Sequence, residues 1–294
     1  MARILTVGIA TLDIINETAA FPHEDGEVRA LAQQKRRGGN AANTSTVLAQ
    51  LGCDSHWAGV LVDEPDAQVV VDEFDRYGVG YAHCRRLNHG KMPTSYVTLN
   101  RANGSRTIVH YRDLPEFNFE DFLEVDLSAF DWLHFEGRNV SETLKMLSHV
   151  RTHYPDLPCS LEMEKTRDGI EALTEKVQYV FYSKVYAQAR GFDCGQRFLN
   201  AVDAPNLVQT VTWGAQGAYA MAEGVLYRSE ALPPQHIVDT LGAGDTFNAG
   251  MIYALTQHIG VPLALNFACR LAGEKCAVRG FDLRDVCARL LNKE

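Results

Sequence analysis

Short apolar runs alternate with stretches of helical apolar spacing along most of the chain. Runs typical of buried strands lie at residues 3–9, 57–62, 132–137, 159–164, 177–183 and 207–213. Apolar residues recur at helical spacing at 41–51, 66–78 and 141–154, and a Gly ends or follows the first two stretches. The alternation predicts an α/β fold of Rossmann-like type, with helices flanking both faces of a parallel central sheet.

Two stretches, about 11–37 and 90–113, depart from this alternation because they carry turn residues and alternating polar and apolar positions. Residues 95–100 and 107–112 flank a turn at 101–106 and predict a β-hairpin. Such strands do not suit a buried parallel core, so we predict a small separate β-sheet that forms a lid. An ordinary surface excursion is the alternative. The prediction is one domain over residues 1–294, with the lid built from these two stretches.

Composition narrows the class of protein. Lys and Arg number 28 against 37 Asp and Glu, a formal net charge of −9 without a long basic run, so we expect no nucleic-acid partner. The apolar start at residues 1–15 is too short to span a membrane and lacks the features of an export signal. The seven cysteines include no C-x-x-C pair, which argues against a disulfide framework or structural zinc and favours a cytoplasmic location.

The segment DTLGAGDTFNAGMIYAL at residues 239–255 carries the strongest chemical signal. Gly242, Ala243 and Gly244 precede an apolar helix, so their backbone N–H groups and the helix dipole predict an anion site. Asp245 follows directly, and a carboxylate beside an anion site suits a general base that takes a proton from an attacking hydroxyl. An ordinary helix-capping Asp is the alternative from this segment alone.

The segment RRGGNAANTSTVLAQLG at residues 36–52 places two asparagines at the start of a predicted helix. Asn40 and Asn43 share a helix face, and their amides both donate and accept hydrogen bonds. The arrangement suits recognition of neighbouring sugar hydroxyls, with Asp13 as a third polar group; a Gly turn with Asn capping is the alternative. No GxxxxGK[ST] phosphate loop, HExxH or GxSxG pattern occurs.

These two motifs, in this order and about two hundred residues apart, resemble the two signatures of the ribokinase-like (pfkB-type) carbohydrate kinases. Residues 21–52, 103–109, 130–147 and 270–282 further resemble the ketohexokinase branch of that family, and the likeness covers essentially the whole chain. The resemblance implies a ribokinase-like fold with a β lid. It also implies transfer of the ATP γ-phosphate to a hydroxyl of a ketohexose such as fructose, giving fructose 1-phosphate. ATP, Mg²⁺ and K⁺ are the implied cofactors, and a homodimer through the lid is the implied assembly.

The resemblance also assigns roles to residues. Asp245 would be the general base, the loop of Gly242, Ala243 and Gly244 would bind the transferring phosphoryl group, and Arg106 would reach the phosphates from the lid. The implied sugar contacts are Asp13, Gly39, Asn40, Asn43, Ser105, Arg106, Glu136 and Asp245. The implied nucleotide contacts are Trp213, Gly214, Gly217, Gly242, Gly244, Cys269, Ala272 and Gly273.

Two ion sites follow from the same resemblance. Asp239, with the carbonyls near Gly280, matches a loop that binds a monovalent cation. Glu164 with Lys165 would position water bound to Mg²⁺, and a structural ion-pair network is the alternative for this pair. Many relatives organise magnesium through an Asn-x-x-Glu motif, whereas residues 182–185 here read Tyr-Ser-Lys-Val and offer no carboxylate. A further departure is Ser105, which stands where the ketohexokinase pattern has an Asn.

Other functions stay open at this point. The same catalytic core would serve ribose, 2-keto-3-deoxy-gluconate or a nucleoside, because the lid and the wall from Asp13 to Asn43 decide which acceptor binds. A non-catalytic sugar or nucleotide sensor would keep the fold, although the intact Asp245 argues for turnover. For the homodimer, an apolar lid residue such as Val97 is expected to matter if its side chain faces the partner.

Overall fold

The computed structural model describes residues 1–202 and 204–292. Its strands are β1 (Arg3–Val7), β2 (Thr11–Thr18), β3 (Ala32–Gly38), β4 (Asp54–Ala58), β5 (Val60–Val62), β6 (Arg85–Leu87), β7 (Thr94–Asn100), β8 (Arg106–Tyr111), β9 (Trp132–Glu136), β10 (Cys159–Met163), β11 (Tyr179–Tyr182), β12 (Val208–Thr212), β13 (Ala218–Ala222) and β14 (Val225–Ser229). Its helices are α1 (Asn40–Gln50), α2 (Pro65–Tyr77), α3 (Phe119–Leu123), α4 (Val140–His153), α5 (Lys184–Ala189), α6 (Gly195–Ala201), α7 (Ala243–Thr256), α8 (Val261–Lys275) and α9 (Arg284–Leu291).

The central sheet has eight strands in the order β14-β13-β12-β11-β10-β9-β1-β4. The six strands from β12 to β4 run parallel, and β13 and β14 complete one edge as an antiparallel pair. Every residue of β9 and β10 is buried, as expected for parallel strands that are covered on both faces. The predicted α/β fold with a mostly parallel sheet is confirmed, and the antiparallel edge is an addition to it.

Local sequence signals explain where individual elements begin and end. Helix α2 has Pro65 in its first turn and is followed by Gly78 in the left-handed conformation, at φ 71°, which ends the helix. Its buried face consists of Ala67, Val70 and Phe74, at helical spacing. The run predicted as one strand at 57–62 is divided, because β4 belongs to the central sheet while β5 pairs with β6.

A second sheet of four strands, in the order β3-β2-β7-β8, lies apart from the central one. Strands β7 and β8 pair antiparallel from Thr94 opposite Tyr111 to Leu99 opposite Arg106, so the predicted hairpin is confirmed. We call this four-stranded unit the small sheet. It is built from the two stretches that break the strand–helix alternation.

The two faces of the small sheet differ. Asp13 and Ser95 are register partners and lie on the inner face, which is turned toward the 239–241 loop. Tyr96 and Val109 are register partners on the outer face, where they are 43% and 67% exposed. Val97 lies on the inner face and is 1% exposed, so the condition for its predicted interface role, a side chain that faces the partner, is not met.

Helices α1 and α7 pack against each other on one face of the central sheet. Val47 and Leu48 of α1 share a buried cluster with Phe247 and Met251 of α7. This packing brings the first turns of both helices to the carboxyl ends of β9 and β10, the edge at which open α/β sheets bind ligands.

Helix length bears on the question of membrane insertion. Among the described residues the longest helix is α8, with 15 residues. A helix needs about 20 apolar residues to cross a bilayer. Within 1–202 and 204–292, no helix meets the requirements of length and apolar character for a membrane span.

Candidate active site

The first turn of α7 forms the centre of the site. Gly242 precedes the helix in the left-handed conformation, at φ 76°, and a Cβ there would lie 2.0 Å from Cζ of Phe281. Only glycine adopts this φ and leaves room for Phe281 without strain. The Ala243 N–H donates to the Thr240 carbonyl at 3.3 Å, while the N–H groups of Gly242 and Gly244 have no partner among the described residues. Two of the three predicted anion-site donors are therefore free.

Asp245 lies in the first turn of α7 but does not cap it. Its side chain is buried, and its Oδ2 accepts a hydrogen bond of 2.6 Å from Nδ2 of Asn43. The structure therefore contradicts the simple capping alternative, because the carboxylate is held by a side chain of another helix. This contact joins the two sequence motifs directly, across 202 residues of sequence.

Helix α1 begins beside this contact. Gly39 precedes it at φ 96°, and a Cβ there would lie 2.3 Å from the Ile9 carbonyl oxygen. No side chain among the described residues caps the helix, so the Asn-capping alternative is also contradicted. Asn43 instead accepts a hydrogen bond of 2.7 Å from Arg37 at its Oδ1.

Asn40 turns toward a second buried carboxylate. Its Nδ2 donates to Oε2 of Glu162 at 3.1 Å, and Nδ2 of Asn248 donates to Oε1 of the same carboxylate at 3.1 Å. Asn248 lies one helical turn after Asp245 on α7. Glu162 therefore joins β10, α1 and α7. The Oδ1 atom of Asn40 has no partner among the described residues.

Burial and like charges shift the acid–base behaviour of these carboxyl groups. Burial is the main cause that raises the pKa of Asp245, to about 7, and Glu164 and Glu136 raise it further, while the Asn43 hydrogen bond and Arg37 lower it. Burial, followed by the charge of Asp245, raises the pKa of Glu162 well above its usual value. A carboxyl group with a pKa near neutrality suits general base catalysis at physiological pH.

Asp13 and Glu136 are also held by neighbouring groups. Oδ1 of Asp13 accepts a hydrogen bond of 2.9 Å from Thr11, and burial raises the pKa of Asp13. Oε2 of Glu136 accepts a hydrogen bond of 2.9 Å from the Ile9 N–H, and its Oε1 lies 3.5 Å from Arg138. Because protein groups hold both Glu136 oxygens, a direct sugar contact by this residue stays a prediction.

A cleft of about 420 Å³ opens beside the start of α7. Six of the predicted nucleotide contacts line it, namely Gly214, Gly217, Gly244, Cys269, Ala272 and Gly273. Trp213 and Gly242 are not among the residues that line it, because Trp213 is 3% exposed and packs into the main core, while a Cβ at Gly242 would face Phe281. A backbone contact of either residue with the nucleotide stays a prediction.

The small sheet reaches this cleft through Arg106. Its NH1 donates to Oγ1 of Thr240 at 3.3 Å, and both residues line the cleft. Ser105 is exposed in the hairpin turn, and its backbone N–H donates to Asn103. The described residues give the Ser105 side chain no contact with the site, so its sugar contact stays a prediction.

Asp239 anchors the loop that leads into α7. Its Oδ1 accepts from Leu241 N–H, and its Oδ2 accepts from Arg36 and from the Gly280 N–H. The fully buried Lys275 donates to its carbonyl oxygen at 2.8 Å. Burial would raise the pKa of Asp239, but Arg36 and Lys275 outweigh it and lower the pKa to about 2. These donors contact both carboxylate oxygens, and the monovalent-cation site at Asp239 stays a prediction.

The magnesium prediction at Glu164 rests on a single carboxylate. Glu164 lies 3.7 Å from Lys165, its side chain is about one-third exposed, and its charge acts on Asp245. Among residues 1–202 and 204–292, no three acidic, His or Cys side chains gather around a metal-sized gap. One partly exposed carboxylate fits a hydrated Mg²⁺ that is held mainly by phosphate oxygens and water.

Sequence reasoning missed three residues of the site. Asn248 had a signal, because it is a polar residue three positions after Asp245 on an otherwise apolar helix. Arg37 and Lys275 had none, since a charged residue in a sequence normally indicates exposure, whereas both are fully buried here.

A cleft beside a helix start, with a buried carboxylate in the first turn of that helix, suits a kinase that acts on small hydroxylated molecules. The family model of the pfkB family carbohydrate kinases matches residues 1–283. The chain therefore belongs to the pfkB family of carbohydrate kinases, and it is an ATP-dependent sugar kinase.

Individual relatives are similar over nearly the whole chain, and a solved structure shares the fold. The chain is 39% identical to the ketohexokinase of Mus musculus over 291 residues, which cover 95% of this chain and 98% of that protein. It is 23% identical to the ribokinase of Bacillus subtilis, over 92% of each chain. The structure of Arabidopsis thaliana ribokinase complexed with ribose and ATP superposes with a TM-score of 0.82 at 21% identity, covering 99% of this chain and 98% of that one.

Proposed function

We propose that this kinase transfers the γ-phosphoryl group of ATP to a primary hydroxyl of a ketohexose such as fructose, giving fructose 1-phosphate. The observation that carries the proposal is the 39% identity to a ketohexokinase over nearly the full length of both chains. The contact between Asn43 and Asp245 supports it, because it places a polar helix face beside a carboxylate that suits a base.

In this proposal, the sugar lies over Asn40 and Asn43 with one primary hydroxyl facing Asp245. Asp245 accepts the hydroxyl proton as the oxygen attacks the γ-phosphorus, while the bond from this phosphorus to the β–γ bridging oxygen breaks and ADP leaves. The free N–H groups of Gly242 and Gly244 stabilise the negative charge of the transferring group. Arg106 approaches the phosphates from the small sheet, which covers the site and excludes water. Mg²⁺, when bound with ATP, neutralises phosphate charge, and Glu164 is the residue that we expect to hold its water shell.

The substrate is tested by measuring ADP release with fructose, tagatose, psicose, ribose and 2-keto-3-deoxy-gluconate, with products identified by NMR. We expect the highest kcat/KM with a ketohexose and a phosphate on its C1 oxygen. Faster turnover of ribose or of the sugar acid would replace the ketohexose with that acceptor. Sugar binding without ADP release would support a sensor instead of an enzyme.

Asn40 and Asn43 give a matched pair of variants for the sugar site. Asn40→Ala is expected to raise KM for the sugar roughly 5- to 150-fold, the effect of a lost polar partner worth about 1–3 kcal/mol. KM for ATP should stay nearly unchanged. Asn43→Ala should also lower kcat, because Asp245 loses its hydrogen-bond donor. Steady-state kinetics with each substrate varied separately make the measurement, and an equal rise of both KM values with Asn40→Ala would indicate a structural role.

We also propose that the chain forms a homodimer through the outer face of the small sheet. Tyr96, Val109 and Tyr111 expose 43%, 67% and 48% of their surface on this face. Exposed apolar side chains on a small sheet favour a covering partner. A cytoplasmic location is proposed as well, supported by the seven cysteines, all within the described residues and all free thiols.

Val109→Glu is expected to weaken this dimer, because it places a charge in the apolar outer face. Leu263→Glu is the matched control, since Leu263 is 66% exposed at the start of α8, outside the small sheet. Sedimentation at micromolar concentration measures the association state. A native protein that sediments as a fully active monomer would reject the dimer and leave the catalytic assignments unaffected.

A further inference from the structure

Arg37 is a fully buried charge directly behind the site. It lies in β3, its side chain is 0% exposed, and its guanidinium lies between the rings of Phe74 and Phe281, at 5.6 and 5.4 Å from the ring centres. Glu73 is its acidic partner, with Oε2 3.6 Å from Nε. Removing a charge from water costs several kcal/mol even after relaxation of the protein. The burial of Arg37 at this cost favours a role beyond packing.

The guanidinium determines which way Asn43 points. NH1 of Arg37 donates to Oδ1 of Asn43 at 2.7 Å. A guanidinium only donates hydrogen bonds, so it can bind the carbonyl end of the amide but not the NH₂ end. The NH₂ group must then face Asp245, where it donates at 2.6 Å. A flipped amide would place its oxygen against the carboxylate of Asp245, two acceptors without a proton between them.

Arg37 also opposes the negative charges around Asp245. The charged groups that face Asp245 are Glu136 on β9, Glu162 on β10, Glu164 after β10, and Arg37 on β3. The carboxylates raise the pKa of Asp245, while Arg37 lowers it. Arg37 has the same effect on the pKa of Asp13. Arg37 therefore acts on two of the three acidic residues predicted to contact the sugar, Asp13 and Asp245.

We propose that Arg37 is a positioning residue of the kinase reaction, which fixes the Asn43 amide so that its NH₂ group orients Asp245 toward the acceptor hydroxyl. The proposal deepens the proposed function and rests on Asp245 as the base. It also means that Asn43 has only its second N–H left for the sugar, while Asn40, held by Glu162 through its NH₂ group, presents its carbonyl oxygen.

The test compares Arg37→Met and Arg37→Lys with the native enzyme, using fructose or whichever of the five sugars is turned over fastest. We expect Arg37→Met to lower kcat about 10- to 100-fold, as for a misplaced catalytic group, with KM for ATP within about twofold of native. The rise of kcat/KM with pH on the acidic side of its profile, the acidic limb, should move to higher pH. Loss of a positive charge makes Asp245 harder to ionise. Arg37→Lys keeps the charge and should retain the native limb and part of the rate.

Arg76→Gln is the matched control, because Arg76 is exposed and pairs with Asp282 away from the site. Native kcat with an unmoved pH limb in Arg37→Met would overturn the proposal. A rate loss that only follows a lower melting temperature, with the native pH limb, would overturn it in favour of a structural role. Asp245→Asn is assayed in parallel. If Asp245→Asn keeps full activity, the assignment of Asp245 as the base fails. That result is distinct from native behaviour of Arg37→Met, which would overturn only the role of Arg37.

If Arg37→Met does not fold, Asn43→Asp carries the test. The new carboxylate keeps the hydrogen bond from Arg37 but presents an acceptor to Asp245. We expect its acidic limb to move further toward high pH than that of Asn43→Ala. An acidic limb at the same pH in Asn43→Asp and Asn43→Ala would overturn the proposal.

Discussion

Asp245→Asn is expected to lower kcat about 10²- to 10⁴-fold, the usual contribution of a general acid or base, while ATP and sugar still bind. The amide keeps the size of the carboxylate and can still accept the hydrogen bond from Asn43. Steady-state kinetics measure kcat, and calorimetry measures the binding of ATP and of the sugar. A variant with near-native kcat would rule out Asp245 as the base.

The same experiment has a pH signature. A base must be ionised, so native kcat/KM should rise with pH through about 7, the pKa to which burial raises the Asp245 carboxyl, and then level off. Residual activity of Asp245→Asn should lack this limb. Folding raises the pKa of the Asp245 carboxyl, to about 7. This group therefore stabilises the folded protein at low pH, and that stability is lost as the pH rises to about 7. Asp245→Asn should therefore unfold at a higher temperature than the native protein above neutral pH, and a lower one would indicate damage to the fold.

Two glycines of the predicted anion site are expected to respond in opposite ways to the same added methyl group. At Gly242 the methyl meets Phe281 and the backbone has φ 76°, so Gly242→Ala should lose stability, about 1–3 kcal/mol, together with activity. At Gly244 a Cβ has no neighbour within 4 Å and points into open space. Gly244→Ala should keep or gain stability, because Ala favours a helix over Gly by about 1 kcal/mol.

Activity should nevertheless fall in Gly244→Ala, by about 10²-fold if the transferring group is displaced by 1 Å. Gly244 lines the cleft, so its methyl group would occupy space beside the phosphates. Thermal unfolding and ADP release on both variants make the comparison. A stable Gly244→Ala with native kcat would show that the phosphoryl group does not approach this turn.

Much of the fold could be predicted because local pattern and topology agree. The apolar runs at 132–137 and 159–164 are the buried strands Trp132–Glu136 and Cys159–Met163, and the hairpin was predicted within one residue. The antiparallel edge β13–β14 was not predicted, since pairing at a sheet edge depends on contacts between distant residues more than on the run itself.

Candidate site residues could be chosen from the sequence where residue type and backbone chemistry coincide, as at Gly242 to Asp245. Arg37 and Lys275 could not be predicted in the same way. Their burial depends on Phe281, which contacts both cations from a segment remote in sequence from Arg37. The burial of Trp213 could not be predicted either, because its position suits a nucleotide loop while its large side chain packs into the core.

The hydrogen bond between Asn43 and Asp245 spans 202 residues, and this separation has a consequence for folding. Contacts between residues far apart in sequence form late and slowly, since a large loop must close before they contribute. During synthesis the first helix of the pair leaves the ribosome long before the second exists. Asp245, the proposed base, therefore meets its partner Asn43 only after residues up to 245 have been made. An incomplete chain thus has no assembled centre with which to waste nucleotide.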